Sequence, residues 1–411
     1  MQSTDHVKFH SVIEKQLFRY ISFGSDWFFD ESLPYSLEHI ANEEFKEYQD
    51  LAFKIARKGK GDVITFSPKI FIPLTTLCRD FCGYCTFRKS PDQAPDLYMG
   101  ENDVMALIAK GTALNCKEAL FTLGERPELR YEQAETWLKN RGYKTTLEYL
   151  TAICNQVFNN TEMFPHVNPG TMSGRELNAL SNSNVSMGMM LESTSSVLYG
   201  PGMPHEFAPS KRPGVRIKTM RNAGLQNIPF TTGILIGLGE SKADVVDSLL
   251  AIKRLYQEYG HIQEVIIQNF KSKPETQMSN HPDAEPDYLS WSIVVARLIL
   301  GPDVNIQVPP NLSFQNFSRY LQDGINDWGG ISPLTIDHVN PEAPWPSIKN
   351  LQKACENHGL KLKPRFPIYP EFFLNTDLYV NGPKKEKLIS QADESGYIKG
   401  GIELYCGQPK N

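Results

Sequence analysis

The sequence lacks any apolar run of the roughly 18 residues that a membrane-spanning helix needs. Its best candidate, around Thr232 to Leu238, is short and glycine-rich. Met1 to Ser25 lacks a basic stretch followed by an apolar core and carries both signs of charge, so neither a secretory signal nor a transit peptide is expected. An excess of basic residues is missing too. The 42 Lys and Arg are outnumbered by 47 Asp and Glu, for a net charge of −5, which argues against a nucleic-acid partner. Cysteines are only seven, an odd number unevenly spread, and so do not read as a disulfide framework. Repeats and low-complexity tracts are absent. A cytoplasmic protein with no membrane or nucleic-acid partner is expected. With 40% hydrophobic and 22% charged residues in 411, the chain has the mix of a globular protein with a large core.

Residues 1–60 read as a helical N-terminal extension. Leu37, Ile40, Ala41, Phe45 and Tyr48 recur at helix spacing within Tyr35 to Arg57. From about residue 69, short β-branched runs alternate with amphipathic helical stretches. The runs are Ile70–Leu77, Ala119–Leu123, Phe164–Val167, Ser186–Leu191, Pro229–Ile236, Glu264–Gln268, Asn305–Val308 and Gly324–Trp328. Between them Ser241 can cap a helix that Gly260 ends, and another runs from Pro286 to Leu300. Alternation of this kind implies parallel strands joined by crossover helices. The expected fold is α/β, a (β/α)8 TIM-type barrel or an open six-strand version of it. It would span 61–370, followed by a C-terminal tail, 371–411.

In such barrels the site lies at the C-terminal ends of the strands. The polar and glycine-rich pieces fall there: Cys78–Cys85, Gly124-Glu125, Asn168-Pro169-Gly170, Glu192, Gly237 to Glu240, Asn269, Pro309-Pro310-Asn311 and Gly329-Gly330. Three of the seven cysteines share one short loop, Cys78-Arg-Asp-Phe-Cys82-Gly-Tyr-Cys85. The spacing does not suit a regular zinc module, which pairs two knuckles or adds histidines. Iron–sulfur clusters favour thiolates, and a four-iron cluster on three cysteines leaves one iron open to a ligand. Gly83 gives the backbone room to wrap, and Tyr84 offers an aromatic face beside the cluster. A structural zinc site and a purely redox cluster are the alternatives. Cys116, Cys154, Cys355 and Cys406 read as ordinary thiols.

This cysteine motif directly after a first barrel strand resembles the signature of the radical S-adenosyl-L-methionine (SAM) superfamily. The resemblance implies a [4Fe-4S] cluster on Cys78, Cys82 and Cys85 whose open iron chelates SAM. One-electron reduction, by a flavodoxin- or ferredoxin-type donor, would then yield a 5′-deoxyadenosyl radical. Leu123-Gly124-Glu125 resembles the superfamily's Gly-Gly-Glu, with the first glycine replaced, and implies that Glu125 accepts a hydrogen bond from the SAM ammonium. Glu192 would bind ribose hydroxyls, and Arg216 resembles an arginine that pairs with the SAM carboxylate. The segment from Gly233 through Gly237 to Glu240 resembles one that lines the adenine.

Longer stretches resemble the CofG family, the ring-closing half of FO synthase in coenzyme F-420 biosynthesis. They are Phe71–Asp80, Phe121–Glu128, His166–Gly170, Pro229–Gly237, Gln263–Phe270 and Asp327–Glu342. The resemblance implies a lyase that takes the hydroxybenzyl–ribityliminouracil adduct made by a CofH-type companion. A hydrogen atom is abstracted, the third ring closes and ammonia is lost. Asn168, Gln268, Asn269 and Asn311 are candidates to read the substrate's amide and hydroxyl groups. Asp337, His338 and His205 are candidates for proton transfer. The rival readings are another enzyme of the same branch (CofH, the menaquinone futalosine pathway, biotin synthase-like) and a non-enzymatic cluster- or metal-binding protein.

Overall fold

The computed structural model describes residues 36–406. Of the expected N-terminal extension, residues 1–35 lie outside this range. The helix expected over Tyr35 to Arg57 is in two pieces, a single 3-10 turn Leu37–His39 and helix α1, Phe45–Lys60. The remaining elements follow in this order. They begin β1 (Val63–Thr75), α2 (Glu101–Ala113), β2 (Glu118–Leu123), α3 (Glu132–Lys139), α4 (Thr146–Asn160), β3 (Phe164–Asn168), α5 (Gly174–Ser181) and β4 (Ser186–Gly188). They continue α6 (Pro213–Gly224), β5 (Phe230–Ile236), α7 (Lys242–Tyr259), β6 (Ile262–Asn269), α8 (Pro286–Leu300), β7 (Asn305–Gln307) and β8 (Asp327–Ile331). Last come α9 (Ile348–Glu356), β9 (Lys361–Pro364), α10 (Gly382–Gln391) and the short α11 (Glu403–Cys406). Up to β9 strands and helices alternate, except that two helices join β2 to β3 and only 3-10 turns join β7 to β8.

The eight expected strands form a closed parallel barrel, because β1 pairs with both β2 and β8. The caps read from sequence are in place. Ser241 and Asp244 form a reciprocal capping box at the start of α7, and Gly260 ends that helix at φ +66°. Strand limits differ in instructive ways. β1 starts seven residues before Ile70, since its first half pairs with the ninth strand, β9, below the point where β2 begins. β8 covers Asp327–Ile331, so Gly329 and Gly330 lie inside the strand and not after it. Side chains from neighbouring strands explain them: a Cβ on Gly329 would meet Gln307, and one on Gly330 would meet Lys69. β4 ends at Gly188, and the chain stays attached to β5 through single hydrogen bonds from Met189 and Glu192.

The barrel is closed at the N-terminal ends of its strands. Arg365, directly after β9, donates to Asp327 through Nε (2.6 Å) and Nη2 (3.0 Å), and to Glu264 through Nη2 (2.7 Å). Tyr369 also donates to Glu264, at 2.9 Å. Beneath them the expected tail forms a second apolar cluster, in which Phe372, Phe373, Val380 and Leu388 pack with Phe164 and Val185. Among the described residues no helix is long and apolar enough to cross a membrane.

α1 is fixed to the outside of the barrel by Asp323, whose carboxylate accepts from Gln49 of α1 (2.6 Å) and from Ser290 of α8. Burial pushes this carboxyl up to about 6. The folded state therefore binds the proton more tightly than the unfolded one. The stabilisation is complete below the ordinary carboxylate range and is lost as pH rises through about 6. Asp323→Asn keeps the neutral form at every pH. In urea unfolding it should exceed wild type by up to about 3 kcal/mol near pH 8 and match it near pH 4.

Candidate active site

The cysteine loop caps the C-terminal mouth of the barrel, and its backbone is tied to two distant segments. Phe81 N–H donates to Phe207 O (3.0 Å), Gly83 N–H to Pro204 O (2.8 Å) and Met278 N–H to Gly83 O (3.0 Å). A Cβ on Gly83 would meet the Gln277 amide at 2.8 Å and Pro204 at 3.1 Å. Gly124 is more constrained: its Cβ would fall 1.9 Å from Leu77 O and 2.7 Å from Cys78 Cβ, so β2 can approach the loop this closely only at a glycine.

Cys78, Cys82 and Cys85 face one cavity of about 360 Å³ inside the barrel, within the range of small-molecule sites. Burial pushes the Cys78 thiol up to about 12, against a 3.1 Å hydrogen bond from Glu125 N–H to its sulfur. Burial also raises Cys82, where Lys211 opposes it. Cys85 raises both Cys78 and Cys82 further, and Cys78 adds to Cys82, so three thiolates here require cationic charge between them, which iron supplies. Among the described residues no three His, Cys, Asp or Glu side chains are gathered to share a single ion. A cluster does not need that, because each thiolate binds a different iron. The donor set fits a four-iron cluster. Cys116, Cys154 and Cys355 are buried and unpaired elsewhere.

Two carboxylates flank the loop. Glu125 is buried and accepts from Thr171 N–H at 3.0 Å and from the Thr171 hydroxyl. Arg79 and Arg126 lie 3.8 and 3.7 Å away. Gly170, at φ +84°, makes the space, since a Cβ there would fall 1.8 Å from the Glu125 carboxylate. Glu192 has a left-handed backbone, φ +70°, rare for a residue with a side chain. Hydrogen bonds to Gly233 O (3.1 Å) and from Leu235 N–H (2.9 Å) impose it. Burial alone would raise its pKa, but Lys211 and Arg216 outweigh burial and hold the carboxyl below its usual range. Arg216 is itself buried, 3.8 Å from Glu192, and donates through Nε to Ser210 O at 3.0 Å.

The other candidates divide. Tyr84, Asn168 and Gln268 line the cavity with Glu125, Glu192 and Arg216. Asn269 does not, because adjacent strand residues face opposite sides; its amide donates to Leu312 O instead. Gly233 lies within β5 against Ile266 of β6, and Gly237 faces Ala284; neither is on the cavity wall. Asp337 is on the wall, but its oxygens accept from Asn311 (3.0 Å), the Asn340 amide (3.0 Å) and the Val339 and Asn340 N–H groups (2.9 and 3.1 Å). It organises its own turn, and Asn311 serves it from behind the wall. His338 lies off the wall with its ring 5.3 Å from Phe71. His205 is behind Tyr84, with Nε2 at 3.1 Å from the phenol oxygen. Burial, reinforced by Lys211, pushes it down to about 3, so it is neutral and positions Tyr84.

The barrel interior holds polar residues not foreseen as site residues: Lys69, Glu118, His166, Glu264, Gln307 and Arg365. The signal available was period-two alternation. Ser67-x-Lys69-x-Phe71 and Glu264-x-Ile266-x-Gln268 place polar groups on one face of otherwise apolar strands.

Comparisons with known proteins agree with this geometry. Residues 72–252 match the model of the radical SAM superfamily. The 7,8-didemethyl-8-hydroxy-5-deazariboflavin synthase of Methanopyrus kandleri is 47% identical over 337 residues, 82% of this chain and all of that protein. An FO synthase of Streptomyces avermitilis is 46% identical over 319 residues, covering 76% of this chain but only 37% of that longer protein. Among solved structures, a methylornithine synthase superposes with TM-score 0.65 at 16% identity, over 84% of this chain and 97% of its own. That likeness shows the fold alone. The chain belongs to the radical SAM superfamily and, within it, to the 7,8-didemethyl-8-hydroxy-5-deazariboflavin synthase family.

Proposed function

We propose that this chain performs the CofG-type half of FO synthesis. It takes the hydroxybenzyl–ribityliminouracil adduct from a CofH-type companion, closes the third ring and releases ammonia, which makes it a carbon–nitrogen lyase. The observation that carries the reading is the position of Asp327–Glu342, the stretch that separates the CofG family from its rivals. Trp328, Gly330, Asp337, Val339 and Asn340 of that stretch all line the cavity under the cysteine loop. A match over the full length of the Methanopyrus kandleri synthase, against 37% of the longer FO synthase, supports it further.

Cys78, Cys82 and Cys85 would each hold one iron. When bound, the cluster and SAM supply a one-electron cleavage that delivers a hydrogen-abstracting radical, with the electron drawn from a flavodoxin- or ferredoxin-type donor. The chain's residues do the rest. Glu125, preset by Thr171 and Gly170, offers a carboxylate to the SAM ammonium beside Cys78. Glu192 offers one to ribose hydroxyls, its own charge steadied by Lys211 and Arg216. Tyr84, locked by His205, covers the cluster side of the cavity. Asn168 lines the same cavity and offers its carboxamide to the substrate beside His166.

The test is an anaerobic assay of cluster-reconstituted protein with SAM, reductant and the adduct, reading deoxyadenosine by chromatography and deazaflavin by fluorescence. Both products should form, and both should fall below detection in Cys82→Ala. Deoxyadenosine without deazaflavin would overturn the substrate. A new adduct from tyrosine and ribitylaminouracil would assign the chain to the other half-reaction.

A further inference from the structure

Lys69 is a buried charged side chain of the barrel interior. It sits in the middle of β1, is 7% exposed, and lines the cavity. Register places it directly opposite Glu118 of β2, yet the two form no ion pair. Glu118 instead accepts from the Ser67 hydroxyl. The Lys69 ammonium rises over the backbone of Gly330 and lies 5.3 Å from the Phe71 ring and 5.0 Å from the Trp345 ring. Gly330 makes this path possible, since a Cβ there would fall 2.2 Å from Lys69 Cδ and 2.6 Å from Nζ. Among the described residues no hydrogen-bond acceptor reaches Nζ. A buried ammonium turned from a facing carboxylate toward a cavity is costly unless a ligand completes it.

The neighbouring polar groups describe that ligand. Gln307, which lies over Gly329, and Gln268 present carboxamides to the same cavity without protein partners among the described residues. A carboxamide carries both a donor and an acceptor, so it matches an amide or imide edge, and two such groups with a cation match a carbonyl-rich heterocycle. The flanking Trp328, Trp345 and Phe71 suit a flat ring.

We propose that Lys69 binds the pyrimidinedione edge of the substrate and takes up the negative charge that spreads onto it as the ring system becomes conjugated with its phenol. The inference rests on the function proposed above. In an 8-hydroxy-5-deazaflavin the phenol and the pyrimidinedione share one π-system, so loss of the phenolic proton places charge on the pyrimidinedione, where an ammonium stabilises it. Other charges facing Lys69 come from Glu118 on β2, Glu264 on β6, Asp337 after β8 and Arg365 after β9. Three of these four are carboxylates that oppose a bound anion, and Arg365 is already paired with Asp327 and Glu264, which leaves Lys69 to select it.

The experiment uses the full, cluster-loaded chain and needs no turnover. The deazaflavin product is titrated by fluorescence excitation, free and bound, and a phenol-free ribitylaminouracil is used as a competing probe. Wild type should lower the chromophore's acid midpoint by about one pH unit or more. Lys69→Met should abolish that shift and weaken the probe roughly tenfold, with iron content and thermal midpoint retained. Gly330→Ala, which keeps the charge but blocks its path, should do the same and serves where Lys69→Met fails to fold. A shift and probe affinity that survive in both variants would overturn the role of Lys69. Wild type that binds neither product nor probe would overturn the function on which it rests.

Discussion

The barrel depends on one buried cation, the guanidinium of Arg365. An open-ended barrel with Asp327 and Glu264 facing inward could not stay closed, because two carboxylates out of water repel one another and cost several kcal/mol each to desolvate. Burial disfavours the guanidinium too, but Asp327 and Glu264 outweigh it and hold its charge. Arg365 comes from the turn after β9, so this pairing also explains why a ninth strand is added beside β1 and why the tail folds back under the barrel. With the lower end sealed by Arg365, the cavity extends from this contact up to the cysteine loop. A contact at the base of the barrel thus shapes the space beneath the thiols.

A second constraint is spatial. Glycines at 83, 124, 170 and 330 each stand where another side chain or backbone already occupies the position of a Cβ. They bring β2 against the cysteine loop, make room for the Glu125 carboxylate and let Lys69 extend along β8. Pre-setting of this kind suits radical chemistry, in which a misplaced group or a stray water diverts the intermediate.

Much of this was legible in the residues. The eight barrel strands follow from apolar runs bounded by turns, and the cysteine loop from spacing alone. The positions of Glu125 and Glu192 follow from the rule that strand ends carry the site. The rest was hidden for physical reasons. β9 is a four-residue strand of alternating Lys and apolar residues with no run to reveal it. Gly329-Gly330 looks like a turn because in-strand glycines are rare, and only Gln307 and Lys69, remote in sequence, account for them. Asp337 and His205 look like acid–base groups in sequence, but hydrogen bonds from Asn311 and burial behind Tyr84 assign them to positioning. The cysteine end was read from local motifs, whereas the lower cavity is built from single inward residues of many strands, each meaningful only once the barrel closes.

The central claim is that the cavity beneath Cys78, Cys82 and Cys85 presents the adduct to the radical. Its most direct test is isotopic: a single turnover with adduct deuterated throughout its hydroxybenzyl part, followed by mass spectrometry of the deoxyadenosine. Deuterium should appear in deoxyadenosine, formed together with deazaflavin. Deoxyadenosine free of deuterium from the labelled adduct, but labelled when deuterated tyrosine is supplied instead, would contradict it.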